Sequence, residues 1–184
     1  MSTKRFPHHS DGSTQRGVSL LEAAIVVAIV AIAGATAAPS FTAAIDAHRV
    51  ESAATRLGAY LQFARSEAIA RNRSQLLSAH TEADLSCWIV HTGSAAECSC
   101  RADGAVCDAG ALAIKSVVLP GAEHISVAGN VGSIVFDPLH GTSTPSGTLR
   151  VVDARGRAVH HIVNVLGRVR SCSPQRALPS YPSC

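Results

Sequence analysis

The chain has 184 residues, 47% of them hydrophobic and only 4% aromatic, with a formal net charge of +3. That length allows one domain of about 110–140 residues beside any leader and membrane segment. The overall charge points to no partner, so a charged site has to come from local clustering.

The first element is a polar leader with Lys4, Arg5 and Arg16, followed by an apolar run from Val18 to Ala38. As a helix these 21 residues span about 31 Å, enough to cross a bilayer core. The basic leader predicts a cytoplasmic N-terminus and puts the bulk of the chain in the periplasm. Glu22 lies inside this run, and a carboxylate there costs a few kcal/mol, which makes it a functional candidate.

Gly17-Val18-Ser19-Leu20-Leu21-Glu22, placed between a basic leader and an apolar run, resembles the class III signal of type IV pilins and type II secretion pseudopilins. The resemblance implies that prepilin peptidase cuts after Gly17, that Val18 becomes the methylated N-terminus, and that Glu22 pairs with a neighbouring subunit's terminal amine. Such a pair is far cheaper in a bundle than either buried charge alone. An ordinary secretory signal would instead cleave near Ala35-Thr36-Ala37 or Ala37-Ala38. Removal of residues 1–17 leaves 13 basic and 12 acidic side chains.

Helical periodicity continues beyond Pro39. Val50, Ala54, Leu57, Leu61, Ala64 and Ala68 are spaced alternately four and three apart, the pattern of one buried helix face. A single helix from Val18 to Asn72, about 80 Å long, is expected, with kinking or local melting at Gly34 and Pro39. Leu61 to Asn72 resembles a second signature of the FimT/GspH subgroup of pilins.

After Ser74 short β-rich runs alternate with turn residues. The expected strands are 76–79, 87–91, 112–119, 125–128, 133–136, 148–152, 157–165 and 168–172. Residues 92–110 have no clear period and read as a loop, and Gly141 to Gly147 reads as a turn. A helix followed by consecutive strands predicts an α+β fold, with an antiparallel sheet wrapped on the helix. The FimT/GspH resemblance implies the same pilin fold. The chain then divides into a leader (1–17), a membrane or filament-core helix (18–38), its amphipathic second half (39–73) and a periplasmic β-rich domain (74–184). Trp88 reads as core.

The six cysteines, Cys87, Cys98, Cys100, Cys107, Cys172 and Cys184, suit an oxidising compartment and allow 15 pairings. Their spacing is not that of a zinc finger or ribbon, so disulfides or free thiols are favoured and no metal or other cofactor is expected. A Cys172–Cys184 bridge would fasten the Pro-rich tail.

From Arg150 to Cys184 there are six arginines against one acid, Asp153, whereas 82–137 carries seven acids against Arg101 and Lys115. The arginine-rich end has the footprint of a polyanion site, and arginine suits bidentate phosphate contact. Within it, Gly167-Arg168-Val169-Arg170 read as a strand projects both arginines to one face about 6.6 Å apart. Gly167 would set the turn before them and allow close backbone approach. The GRxR pattern resembles that of FimT-type minor pilins, which implies DNA binding for uptake by Gly167, Arg168 and Arg170. Arg150, Arg155, Arg157 and Arg176 are possible helpers. Without interleaved aromatics, binding to double-stranded DNA would be led by phosphates and sensitive to salt. Adjacent His160 and His161 face opposite sides of a strand and cannot share a metal, although one of them can add charge to the patch in mild acid.

Asp137, His140 and Ser143 have hydrolase residue types but no activating motif, so no enzyme is expected. Two functions are carried forward. One is a FimT-like minor pilin that takes DNA into natural transformation. The other is a GspH-like pseudopilin of type II secretion with a structural role. Both imply pilin or pseudopilin partners, a prepilin peptidase and an inner-membrane anchor before incorporation into a filament.

Overall fold

The computed structural model describes residues 19–82, 85–108 and 110–184. The leader, Gly17 and Val18 lie outside the described residues. Two compact units divide the chain, up to Phe41 and from Thr42 onward.

Helix α1 runs Leu20–Arg71 and contributes to both units. Ser19 caps its start, where Oγ accepts the Glu22 backbone N–H at 3.1 Å. Ser19-x-x-Glu22 has the spacing of a capping box, so Glu22 also sits where a carboxylate favours the positive end of the helix dipole. The large apolar residues from Leu20 to Phe41 are exposed, and this part of α1 is long and apolar enough to cross a membrane. The single helix is continuous through Gly34 and Pro39, so the local melting expected there is corrected. A proline removes one intrahelical hydrogen bond, and a helix of this length continues on both sides of the loss.

In the second unit the helical stripe is buried as the periodicity requires: Val50, Ala53, Ala54, Leu57, Leu61, Ala64 and Ala68. Eleven strands follow among the described residues: β1 (Gln75–Glu82), β2 (Leu85–His91), β3 (Cys98–Arg101), β4 (Gly104–Cys107), β5 (Ala113–Pro120), β6 (Ile125–Gly129), β7 (Ser133–Phe136), β8 (Ser143–Thr144), β9 (Gly147–Asp153), β10 (Ala158–Val163) and β11 (Val169–Cys172). They form a five-stranded sheet in the order β5-β2-β1-β7-β8, a four-stranded sheet β11-β10-β9-β6 and the hairpin β3-β4. Every pairing within the sheets is antiparallel.

Both larger sheets contribute to one core around α1. Leu77, Trp88, Val117, Ile134 and Phe136 enter it from the first sheet, and Val127, Leu149, Val151, Val159 and Val163 from the second. Trp88 is fully buried and meets Tyr60 of α1 edge to face at 6.2 Å. Burying each such large side chain stabilises the unit by roughly 1.5–3 kcal/mol. Every buried residue among those described lies between Val50 and Leu178, so the unit from Thr42 carries its own core.

The supposed loop 92–110 contains the hairpin β3-β4. Cys98 and Cys107, opposite each other in its register, are disulfide-bonded, and Cys100 is bonded to Cys87 of β2. Crosslinks rather than alternating apolar residues fix this element, so hydrophobic period does not reveal it. Residues 141–147 likewise contain the two-residue strand β8. At the C-terminus Cys172 is bonded to Cys184, and Leu178 is buried in the core. The Tyr181 hydroxyl lies 3.2 Å from Thr55 Oγ1, and the Ser180 hydroxyl donates to Glu51 at 2.8 Å, which ties the tail to α1.

Candidate functional site

The GRxR residues run from the β10–β11 turn into β11, and local hydrogen bonds determine the turn's shape. Asn164 Oδ1 accepts the backbone N–H groups of Leu166 and Arg168 at 3.1 and 2.9 Å. The Asn164 carbonyl accepts from Gly167 N–H at 2.8 Å, closing a four-residue turn. Gly167 has φ +72° and is buried. A Cβ at this position would collide with the Gly141 carbonyl oxygen. Glycine is therefore required twice, for its conformation and for the close approach.

The turn is docked on the β7–β8 loop and α1. Ser143 donates its N–H to the Val165 carbonyl at 3.0 Å and its hydroxyl to the Asn164 carbonyl at 2.6 Å. Arg65 of α1 donates through Nε to the Gly141 carbonyl at 2.9 Å, beside Gly167. Sequence reasoning missed Arg65, Asn164, Gly141 and Ser143 as supports of the turn. Arg65 lies off the apolar stripe, so its spacing carried no signal of its half-buried place beside the turn.

Arg168 precedes β11 rather than belonging to it, which corrects the expected strand start. Arg168 and Arg170 are both exposed, while Val169 between them packs on the core. Among the described residues neither guanidinium has an ion-pair or side-chain hydrogen-bond partner. Arg150 joins the same outer face. Arg170 lies opposite Ile162 of β10, and Arg150 opposite His160, roughly 12 Å away diagonally across the sheet.

The other arginines differ. Arg157 makes two contacts to Asp153 Oδ2, each 2.7 Å, and donates to the Ala43 carbonyl at 2.9 Å. With 19% of its side chain exposed it is a structural residue, not part of the outer-face cluster. Arg155 is held at 3.3 Å by Asp46, on the side of α1. Arg176 is exposed in the C-terminal tail, at positive φ.

Burial works against either histidine adding charge to the face in mild acid. Burial lowers the pKa of His160, and the nearby Arg150 charge lowers it further. Burial pushes His161 down to about 4, against the pull of the Ala54 carbonyl. Its ring lies 2.8 Å from Ser171 Oγ. Among the described residues there is no cluster of His, Cys, Asp or Glu that could hold a metal ion.

A family model described as "Type II transport protein GspH" matches residues 53–167, from the buried face of α1 to the glycine of the turn. The chain belongs to the GspH family. Arg168 and Arg170 lie just beyond the matched segment, so the match covers the scaffold of the GspH-family turn but not its two arginines. Type II secretion system protein H of Xanthomonas campestris pv. campestris is 43% identical over 60 residues, 33% of this chain. Those residues span only 36% of that relative's length. The type IV minor pilin FimU of Pseudomonas aeruginosa is 21% identical in a crystal structure covering 71% of this chain and 96% of its own, with a TM-score of 0.48. A second crystal form of FimU gives 21% identity, 70% and 100% coverage and a TM-score of 0.46.

Proposed function

We propose that this GspH-family chain is a minor pilin that binds DNA phosphates through Arg168 and Arg170. The supporting observation is the exposed, unpartnered pair Arg168 and Arg170, the first on a turn held by Asn164, Gly167 and Ser143 and the second on β11. A backbone fixed in advance limits the ordering cost of binding to the side chains themselves, and the planar guanidinium fork suits bidentate phosphate contact. Arg150 extends the same face. In this reading prepilin peptidase cuts between Gly17 and Val18, and residues 18–38 anchor the chain in the inner membrane. Glu22 pairs with a neighbouring pilin's terminal amine, and the 74–184 domain is periplasmic until the subunit enters a filament.

A second reading keeps the same processing and anchor but assigns a structural place among pseudopilins of type II secretion. It is favoured by the family match and by the name of the Xanthomonas relative. A mobility-shift assay of the Thr42–Cys184 unit with duplex DNA separates the two. The DNA reading requires a shift at low salt that is lost when Arg168 and Arg170 are both changed to Ala. Absence of a shift in the wild-type unit would leave only the structural reading.

A further inference from the structure

The β10–β11 turn carries two apolar side chains that the core does not use. Gly167 N–H closes the turn on the Asn164 carbonyl at 2.8 Å, so Val165 and Leu166 take its two central positions. They are exposed by 61 and 64%. Turn positions ordinarily go to Gly, Pro, Asn, Asp or Ser, whose local chemistry suits the bend. Valine and leucine contribute nothing of that kind here, because other residues secure the backbone. Asn164 Oδ1 accepts the Leu166 and Arg168 N–H groups, and the Val165 carbonyl accepts from Ser143 N–H at 3.0 Å. Gly167 lies against the Gly141 carbonyl. The result is an apolar tip on a fixed backbone, with the exposed Arg168 two residues after Leu166.

A phosphate backbone is matched by the arginines alone and gains nothing from leucine. A base step does gain. Apolar side chains that enter the minor groove part adjacent base pairs and bend the duplex, while a neighbouring arginine meets the negative potential of the groove. A backbone already ordered in the free protein suits this work, since little further ordering is needed on binding.

Asp137, in the adjoining β7–β8 loop, bounds the approach. Its carboxylate is 43% exposed and stays ionised, with its pKa lowered chiefly by the His140 N–H. Phosphates avoid that side, so the duplex comes over Arg168 and Arg170.

We infer that Leu166, backed by Val165, is a wedge inserted between base pairs of a duplex held by Arg168 and Arg170. The inference rests on the DNA reading above and adds a preference to it: the site selects duplex whose steps part easily over uniformly stacked duplex. Parting a stacked step is costly in fully paired DNA and cheaper at a mismatch. Phosphate contacts do not make that distinction, because matched and mismatched duplexes of equal length carry equal charge.

Fluorescence anisotropy of the Thr42–Cys184 unit at low salt tests it with two duplexes of one length. One is fully paired, and the other has a central thymine–thymine mismatch. Wild type should bind the mismatched duplex about tenfold more tightly. Leu166→Ser removes the wedge and keeps every arginine, so the two affinities should become equal. Arg168→Ala should weaken both complexes by the same factor and keep their ratio. Leu139→Ser, which changes a 74% exposed leucine in the loop of Asp137, should leave the ratio as in wild type. Both leucines lie outside the core, and unchanged urea midpoints show that the variants fold. Equal wild-type affinities overturn the wedge and leave the DNA reading intact. So does a preference that survives Leu166→Ser, or one that Leu139→Ser abolishes as fully. Failure of wild type to bind either duplex overturns both.

Discussion

Gly167 and Arg168 are neighbours with opposite kinds of importance. Gly167 is buried at φ +72° with the Gly141 carbonyl where its Cβ would be, so Gly167→Ala has to strain the backbone and push the β7–β8 loop away. A loss of about 2 kcal/mol is expected, read as a lower urea midpoint of the Thr42–Cys184 unit. Arg168→Ala removes an exposed side chain without a partner and should leave that midpoint within about 0.5 kcal/mol. Arg157 shows what a residue count conceals. In the sequence it is one of six arginines in a basic stretch, yet its guanidinium is committed to Asp153, four residues earlier, and to the Ala43 carbonyl on α1. The Asp153 pairing had a faint local signal in the i,i+4 spacing across a turn. The Ala43 contact joins residues 114 apart in the chain and left no signal at all.

Elements fixed by periodicity were legible, and those fixed by crosslinks or long-range contacts were not. The buried stripe of α1 and most strands follow from apolar spacing, because burial on one face is what that spacing encodes. The hairpin β3-β4 depends on Cys98–Cys107 and Cys87–Cys100, and its residues alternate in no useful way. Packing of α1 on β10 also has a consequence that composition does not reveal. His161 is buried where Gly58 lets the helix approach, with only 3.1 Å between the His161 Cε1 and the space a Gly58 Cβ would occupy. Burial holds its folded pKa at about 4, below the ordinary histidine value near 6.5. The unfolded chain therefore binds the proton first. Stability is complete above pH 6.5, falls as the pH drops and levels off near pH 4, a loss of about 3 kcal/mol. Burial lowers the pKa of His91 as well, in the same direction. Denaturant midpoints at pH 7.5 and 4.5 should differ accordingly, and His161→Asn should flatten most of that dependence.

At the scale of the molecule, net charge says little and distribution says much. The sequence shows where arginines are dense; the fold sorts them by what they face. Arg155 and Arg157 are turned to acids beside α1, whereas Arg150 and Arg170 share the outer side of the four-stranded sheet and Arg168 is exposed in the turn before β11. If the proposed DNA binding holds, this sorting predicts its salt dependence more sharply than its affinity. If the three outer arginines each neutralise one phosphate, the slope of log K against log salt should be about −2.7 for duplex DNA. Changing Arg168 and Arg170 to Ala should reduce its magnitude by about 1.8, leaving the contribution of Arg150. Arg155→Ala removes a cation already occupied by Asp46 and should leave the slope unchanged. Fluorescence anisotropy over 20–200 mM salt measures all three. Equal slope losses at Arg155 and Arg168 would mean that DNA reads the chain's general charge, and that the fold has organised no face for it.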